Sequence, residues 1–132
     1  MSNLKSVEQG RATFAYECVE DSITKSVQKD YKSHIRKIPM MIKTNGLGNT
    51  FAFILAKKSS GAAYKLIYEQ TGNWLKKEHK KYLLDGKENE DLVRIFIQLD
   101  SAKYRAVTVE VLAFFNWLRR FAEGLIEGDN EN

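Results

Sequence analysis

The 132-residue sequence holds one proline, Pro39, and one cysteine, Cys18, and its two histidines, His34 and His79, stand far apart. A single cysteine cannot close an internal disulfide or supply the paired thiolates of a zinc site, and the histidines lack the i, i+4 spacing of a metalloprotease helix. Apolar runs are short pieces such as Val111 to Phe115, against the roughly 20 residues that a membrane span requires. The first residues carry no basic segment, apolar run and small-residue cleavage site in succession, so a reducing, cytoplasmic location is expected. Scarce proline and long stretches without turn clusters disfavour many short strands joined by tight turns.

What is present suits one folded domain. Hydrophobic residues make up 43% and charged residues 29%, with two Trp, six Tyr and seven Phe, well outside the disordered class. The expected fold class is all-α: a compact, single-domain bundle of about six helices across residues 1–132, with residues 127–132 a disordered acidic tail. Leu4, Val7, Phe14 and Cys18, widened by Ala15 and Val19, return to one side of a helix over residues 4–27, which Ser2 or Asn3 is placed to cap. Tyr31, Ile35, Ile38 and Ile42 form the stripe of a second helix, which Pro39 is expected to kink or restart. The corner Thr44 to Thr50 follows, and then Leu47, Phe51, Ile54 and Leu55 resume helical spacing. A further helix is predicted from Ala62 to about Leu84, with Tyr64, Tyr68, Thr71, Leu75 and Tyr82 on one side and Asp85-Gly86 at its end. Residues 88–99 fit helix or strand. Helix is preferred because a lone strand leaves its backbone unpaired. After a cap at Asp100 or Ser101, Tyr104, Val107, Val111, Phe114, Leu118, Phe121 and Leu125 give a heptad-like last helix.

The formal charge of +4 is unevenly spread. Residues 25–58 carry Lys25, Lys29, Lys32, Arg36, Lys37, Lys43, Lys57 and Lys58 against one acid, Asp30. Lys25, Lys29, Lys32, Arg36 and Lys43 follow the rhythm of the apolar stripe about 100° round the axis, the footprint expected of a polyanion binder. Lys103, Arg105, Arg119 and Arg120 on the last helix are further exposed cations for phosphate or for acids of a neighbouring subunit.

Groups suited to catalysis are few. Cys18 reads as a small buried hydrophobe and His79, within Lys76 to Lys81, as a solvated helix end. Glu17, Glu20 and Asp21, or Glu88, Glu90 and Asp91, would have to serve a metal-dependent nuclease. The second set is better explained by acids at the positive end of a helix dipole. Gly46-Leu47-Gly48 lacks the third glycine of a dinucleotide loop and the Gly-Lys-Ser/Thr of a P-loop. It reads first as a helix cap with Gly46 left-handed, and second as backbone amides open to an RNA phosphate.

Three stretches together resemble a known family: Ile38 through Thr44-Asn45-Gly46-Leu47-Gly48-Asn49 to Phe53, Tyr64 to Trp74-Leu75, and Tyr104-Arg105-Ala106 through Glu110 to Trp117-Leu118-Arg119-Arg120-Phe121-Ala122. They are similar to the small helical subunit of the type III-B CRISPR Cmr effector complex. The resemblance implies a non-catalytic, all-helical protein without cofactor or metal, present in several copies along a ribonucleoprotein filament. Its partners would be other Cmr subunits and the guide and target RNA, with self-association along the filament and no membrane. The charge pattern nominates Lys29, Lys32, Arg36, Lys43, Lys57 and Lys58, with Asn45 at the glycine corner, for the RNA backbone. A purely structural clamp that uses these cations against acidic partner surfaces is the alternative.

Overall fold

Apolar side chains recurring every three or four positions fold into six α-helices among the described residues: α1 (Asn3–Thr24), α2 (Gln28–Asn45), α3 (Leu47–Lys57), α4 (Ala62–Leu75), α5 (Leu92–Gln98) and α6 (Ser101–Leu125). The computed structural model describes residues 3–77 and 80–128, without the side chains of Asn3 and Leu4. The expected caps at Ser2 and Asn3, the solvated His79 and the tail beyond Gly128 lie outside the described residues.

The fold is all-α, as expected. Tyr31, Ile35, Ile38 and Ile42 are all buried, and α2 runs unbroken through Pro39 with no restart there. An interior proline costs about 3 kcal/mol, whereas burying each large apolar side chain returns roughly 1.5–3 kcal/mol, so the stripe outweighs the missing amide. Helix α6 packs against both α1 and α2. Lys32 Nζ reaches the Ile126 carbonyl at one end and the Tyr104 hydroxyl reaches Gly48 at the other, so α2 and α6 are antiparallel. The core is aromatic: Trp74 stacks on Phe114 at 5.8 Å and on Phe14 at 5.4 Å, and Phe51 meets Phe96 and Phe115 edge-on. Asp100 caps α6, its carboxylate accepting from the Lys103 amide at 2.9 Å.

The long helix expected over residues 62–84 is shorter. It stops at Leu75, and the chain resumes as a 3-10 turn at Lys81–Leu84. A continuous helix would carry Tyr82 in phase with buried Leu75, yet Tyr82 is 64% exposed. The break instead buries the adjacent Leu83 and Leu84 together with Lys80. Asp85 in the left-handed region and Gly86 at positive φ then close the turn, where the Asp-Gly pair was expected to end the element.

Lys80 turns inward because a carboxylate waits for it. Glu110 projects from α6 into the core and is 6% exposed. Arg11 grips it with Nε at 2.9 Å and Nη2 at 2.8 Å, Trp74 Nε1 donates at 2.7 Å, and Lys80 Nζ at 3.1 Å. Burial pushes the Glu110 pKa up, but hydrogen bonds from Arg11, Trp74 and Lys80 outweigh it and hold the group below the usual carboxylate value. Glu110→Ala leaves two cations buried without their anion and is expected to cost about 3–5 kcal/mol, read from the midpoint of urea unfolding. Because the folded pKa lies below the unfolded one, the stabilisation is full above the ordinary carboxylate range and disappears as pH falls through the folded value. Wild-type stability should therefore drop on acidification more than that of Glu110→Gln; equal acid sensitivity would contradict the assignment.

Candidate nucleic-acid interface

At about 100° per residue, Lys29, Lys32, Arg36 and Lys43 fall on one side of α2, flanking the buried stripe. Lys29, Arg36 and Lys43 are exposed. Lys32 is partly buried, its ammonium donating to the Ile126 carbonyl at 3.0 Å. With Ser33, Ile126 and Glu127, three of these cations line a cleft of about 450 Å³ where α6 ends beside α2. Lys25 does not extend the row. It lies in the turn between α1 and α2, where Ser26 takes a positive φ, and pairs with Asp21 at 3.0 Å.

The other nominated residues go elsewhere. Asn45 is exposed at the last position of α2, nine residues from Arg36 and therefore half a turn out of phase. Lys57 and Lys58 end α3 on the opposite flank of α2. Lys57 Nζ lies 5.5 Å from the Phe53 ring centre, Phe53 meets Tyr64 edge-on, and Tyr64 stacks on His34 at 3.8 Å. His34 follows Lys32 by two residues, nearly opposite it on the helix. Burial, then the nearby Lys37 charge, lowers the His34 pKa, which favours the neutral ring that stacks here. Lys58 sits 4.7 Å over the Tyr68 ring and lines a separate cleft of about 530 Å³ with Ser59, Ser60, Gly61 and Lys65.

On α6, Lys103 donates to the Tyr82 carbonyl at 3.2 Å and lies 3.9 Å from Asp85. Arg119 is 3.7 Å from Glu123. Arg105 and Arg120 are exposed, about 60° apart on the helix by register. Of the acidic sets, Asp91 accepts from the Tyr68 hydroxyl at 2.6 Å and Glu90 pairs with Arg94 at 3.4 Å at the start of α5. Asp21 is engaged by Lys25. Cys18 is buried, and burial pushes its thiol up to about 12, which leaves it no nucleophilic thiolate near neutrality.

The glycine corner is a helix start and not an open anion site. Gly46 has φ 90° and ψ 159°, a region that only glycine enters readily, so its φ is positive although it is not the left-handed helical cap that was expected. The Gly48 amide donates to the Tyr104 hydroxyl at 2.8 Å, which fills the place an RNA phosphate was considered for. A Cβ at either glycine would come within 3.5 Å of the same hydroxyl.

Residues 7–125 match the family model described as CRISPR-associated protein (Cas_Cmr5). The chain belongs to the Cas_Cmr5 family. It is similar to the CRISPR system Cmr subunit Cmr5 of Thermus thermophilus, with 28% identity over 113 residues, covering 86% of this chain and 90% of that one. It is also similar to the crystal structure of a CRISPR-associated Cmr5 family protein from Thermus thermophilus, with a TM-score of 0.71 and 27% identity, covering 91% of this chain and 97% of that one. The cationic row, the glycine corner and the Glu110 cluster all fall within the span matched as Cas_Cmr5. In this Cas_Cmr5 chain, Tyr104→Phe removes the acceptor of the Gly48 amide and is expected to lower unfolding free energy by about 1 kcal/mol. Gly46→Ala, forced to positive φ, should cost at least as much. Thermal or urea unfolding checks both, and a neutral Tyr104→Phe would mean that water replaces the hydroxyl.

Proposed function

We propose that this chain is the small, non-catalytic subunit of a type III-B CRISPR Cmr ribonucleoprotein, and that it stacks along the filament and holds RNA backbone with the cationic side of α2. The observation that carries the RNA contact is the arrangement of Lys29, Arg36 and Lys43: exposed, seven residues apart, on one side of an unbroken helix. Each step of seven rises about 10.5 Å, so the helix offers a rigid line of cations with Lys32 between the first two. Such contacts position a strand without reading its bases, and in an RNA-guided complex sequence is read by pairing between guide and target. The partners are other Cmr subunits and the guide and target RNA, in the cytoplasm.

Binding through phosphates predicts that log affinity falls with log salt at roughly 0.7 per neutralised single-strand phosphate. Titrating the assembled complex with target RNA at several salt concentrations measures the slope. Lys29→Ala, Arg36→Ala and Lys43→Ala combined should weaken binding at low salt and flatten that slope by about 2. Lys32 is left intact because it anchors Ile126. If the variant assembles normally and binds RNA with an unchanged slope, the row does not touch RNA and the purely structural clamp is the better description.

A further inference from the structure

Where α6 ends, the chain is led into the cationic cleft. Ile126, the residue after the helix, has an extended backbone and is buried, and Lys32 Nζ donates to its carbonyl at 3.0 Å. This clamp fixes the direction in which the chain leaves the bundle. Glu127 and Gly128 then line the cleft of about 450 Å³ together with Lys29, Lys32 and Arg36, so an acid of this chain already stands among the cations assigned to RNA. Asp30 is the other acid of the cleft. Lys29 and Arg36 are exposed and have no ion-pair partner among the described residues.

The sequence continues beyond Gly128 as Asp129-Asn130-Glu131-Asn132, and it carries no base after Arg120. Acids therefore recur at every second position from Glu127 to Glu131, and in an extended chain alternate side chains share one side, which makes an anionic edge. Reach is sufficient. Four residues span at most about 14 Å, and Lys29 and Arg36 stand about 10.5 Å apart along α2. A tethered segment meets its site at an effective concentration in the millimolar range, which favours it over a free acidic peptide of the same sequence. We propose that Asp129 and Glu131, following Glu127, fold back on Lys29 and Arg36 and compete with RNA for this part of the row, a regulation of the RNA site that rests on the reading of the row given above. A strand that neutralises more charges displaces the segment, whereas short or poorly aligned anions do not, so the segment raises the threshold for binding.

Two measurements test this. In the isolated full chain at low salt, a zero-length carbodiimide is expected to join Asp129 or Glu131 to Lys29, and the product should disappear at high salt. Joining only to lysines outside the cleft, or to none, overturns the contact. In the assembled complex, Asp129→Asn with Glu131→Gln removes charge and keeps size. The pair should tighten target RNA binding about fivefold at low salt and steepen its salt dependence, because the competing ion pairs are themselves screened. Glu17→Gln with Glu20→Gln, at exposed positions of α1, changes the net charge by the same amount and should leave RNA affinity nearly unchanged; an equal gain there makes overall charge the cause and overturns the proposal. Lys29→Ala with Arg36→Ala should abolish the gain. An affinity that ignores Asp129 and Glu131 but falls when Lys29, Arg36 and Lys43 are replaced overturns the competition and leaves the RNA reading standing. One that ignores both sets overturns both.

Discussion

One buried carboxylate organises this bundle. Four donors, from Arg11 of α1, Trp74 of α4 and Lys80 of the turn that follows, converge on the two oxygens of Glu110 in α6. Desolvating a carboxylate and two cations is expensive, and such a set adds little over well-packed apolar residues of equal volume. What it does supply is geometry. Lys80 can reach Glu110 because α4 has ended, and that ending sends Leu83 and Leu84 into the core while Tyr82 goes outward. Arg11, which also pairs with Glu8, sets the depth of α1 against α6, and Trp74 brings α4 alongside through its stacks on Phe14 and Phe114. Trp117 of α6 shares this anchoring, since Glu8 is bound both by Arg11 and by Trp117.

A second theme is that helix starts depend on tertiary contacts. The N-cap residues of α2, α3, α4 and α5 accept no side-chain hydrogen bond from their own helices. Two of these starts are completed by distant tyrosines: the Tyr104 hydroxyl accepts from the Gly48 amide of α3, and the Tyr68 hydroxyl accepts from the Val93 amide of α5 at 3.1 Å while donating to Asp91. Each hydroxyl lies at the edge of the core, where a polar atom without a partner would be costly. Short helices such as α5 have little stability of their own, so these bonds join local structure to packing and favour cooperative folding of the whole.

How much of this was legible in the sequence depended on the range of the interaction. The stripe Tyr31, Ile35, Ile38, Ile42, the heptad of the last helix and the Asp100 cap follow from local periodicity and local hydrogen bonding, and all three were readable. Glu110 was not singled out, because an acid among Val107, Val111 and Phe114 looks like an ordinary polar break until Arg11, 99 residues away, is brought to it. Its position in the apolar phase of the helix was the signal that could have found it. The end of α4 was missed for the same reason, since Lys80 in a lysine-rich run reads as solvated. The candidate site was legible in part. Helical register grouped Lys29, Lys32, Arg36 and Lys43, but proximity in sequence could not reveal that Lys57 and Lys58 lie across α2 from them, or that Lys103 reaches the Tyr82 carbonyl; the Lys25–Asp21 pair, four residues apart, was local enough to be read.

The charge distribution makes physical sense when it is mapped on the fold rather than along the chain. A net +4 spread evenly would attract any polyanion weakly and any acidic protein equally weakly. Here the cations of α2 stand along one flank, held rigid by four buried side chains beneath them. Rigidity matters for this surface, because binding loses less entropy when the contacting groups are already in place. Like charges on the wrong ligand cost as much as opposite charges on the right one contribute, so a flank of predominantly one sign discriminates between anionic and cationic partners. The buried stripe of α2 fixes where Lys29, Arg36 and Lys43 stand, so an anion that meets this flank meets charges already in place.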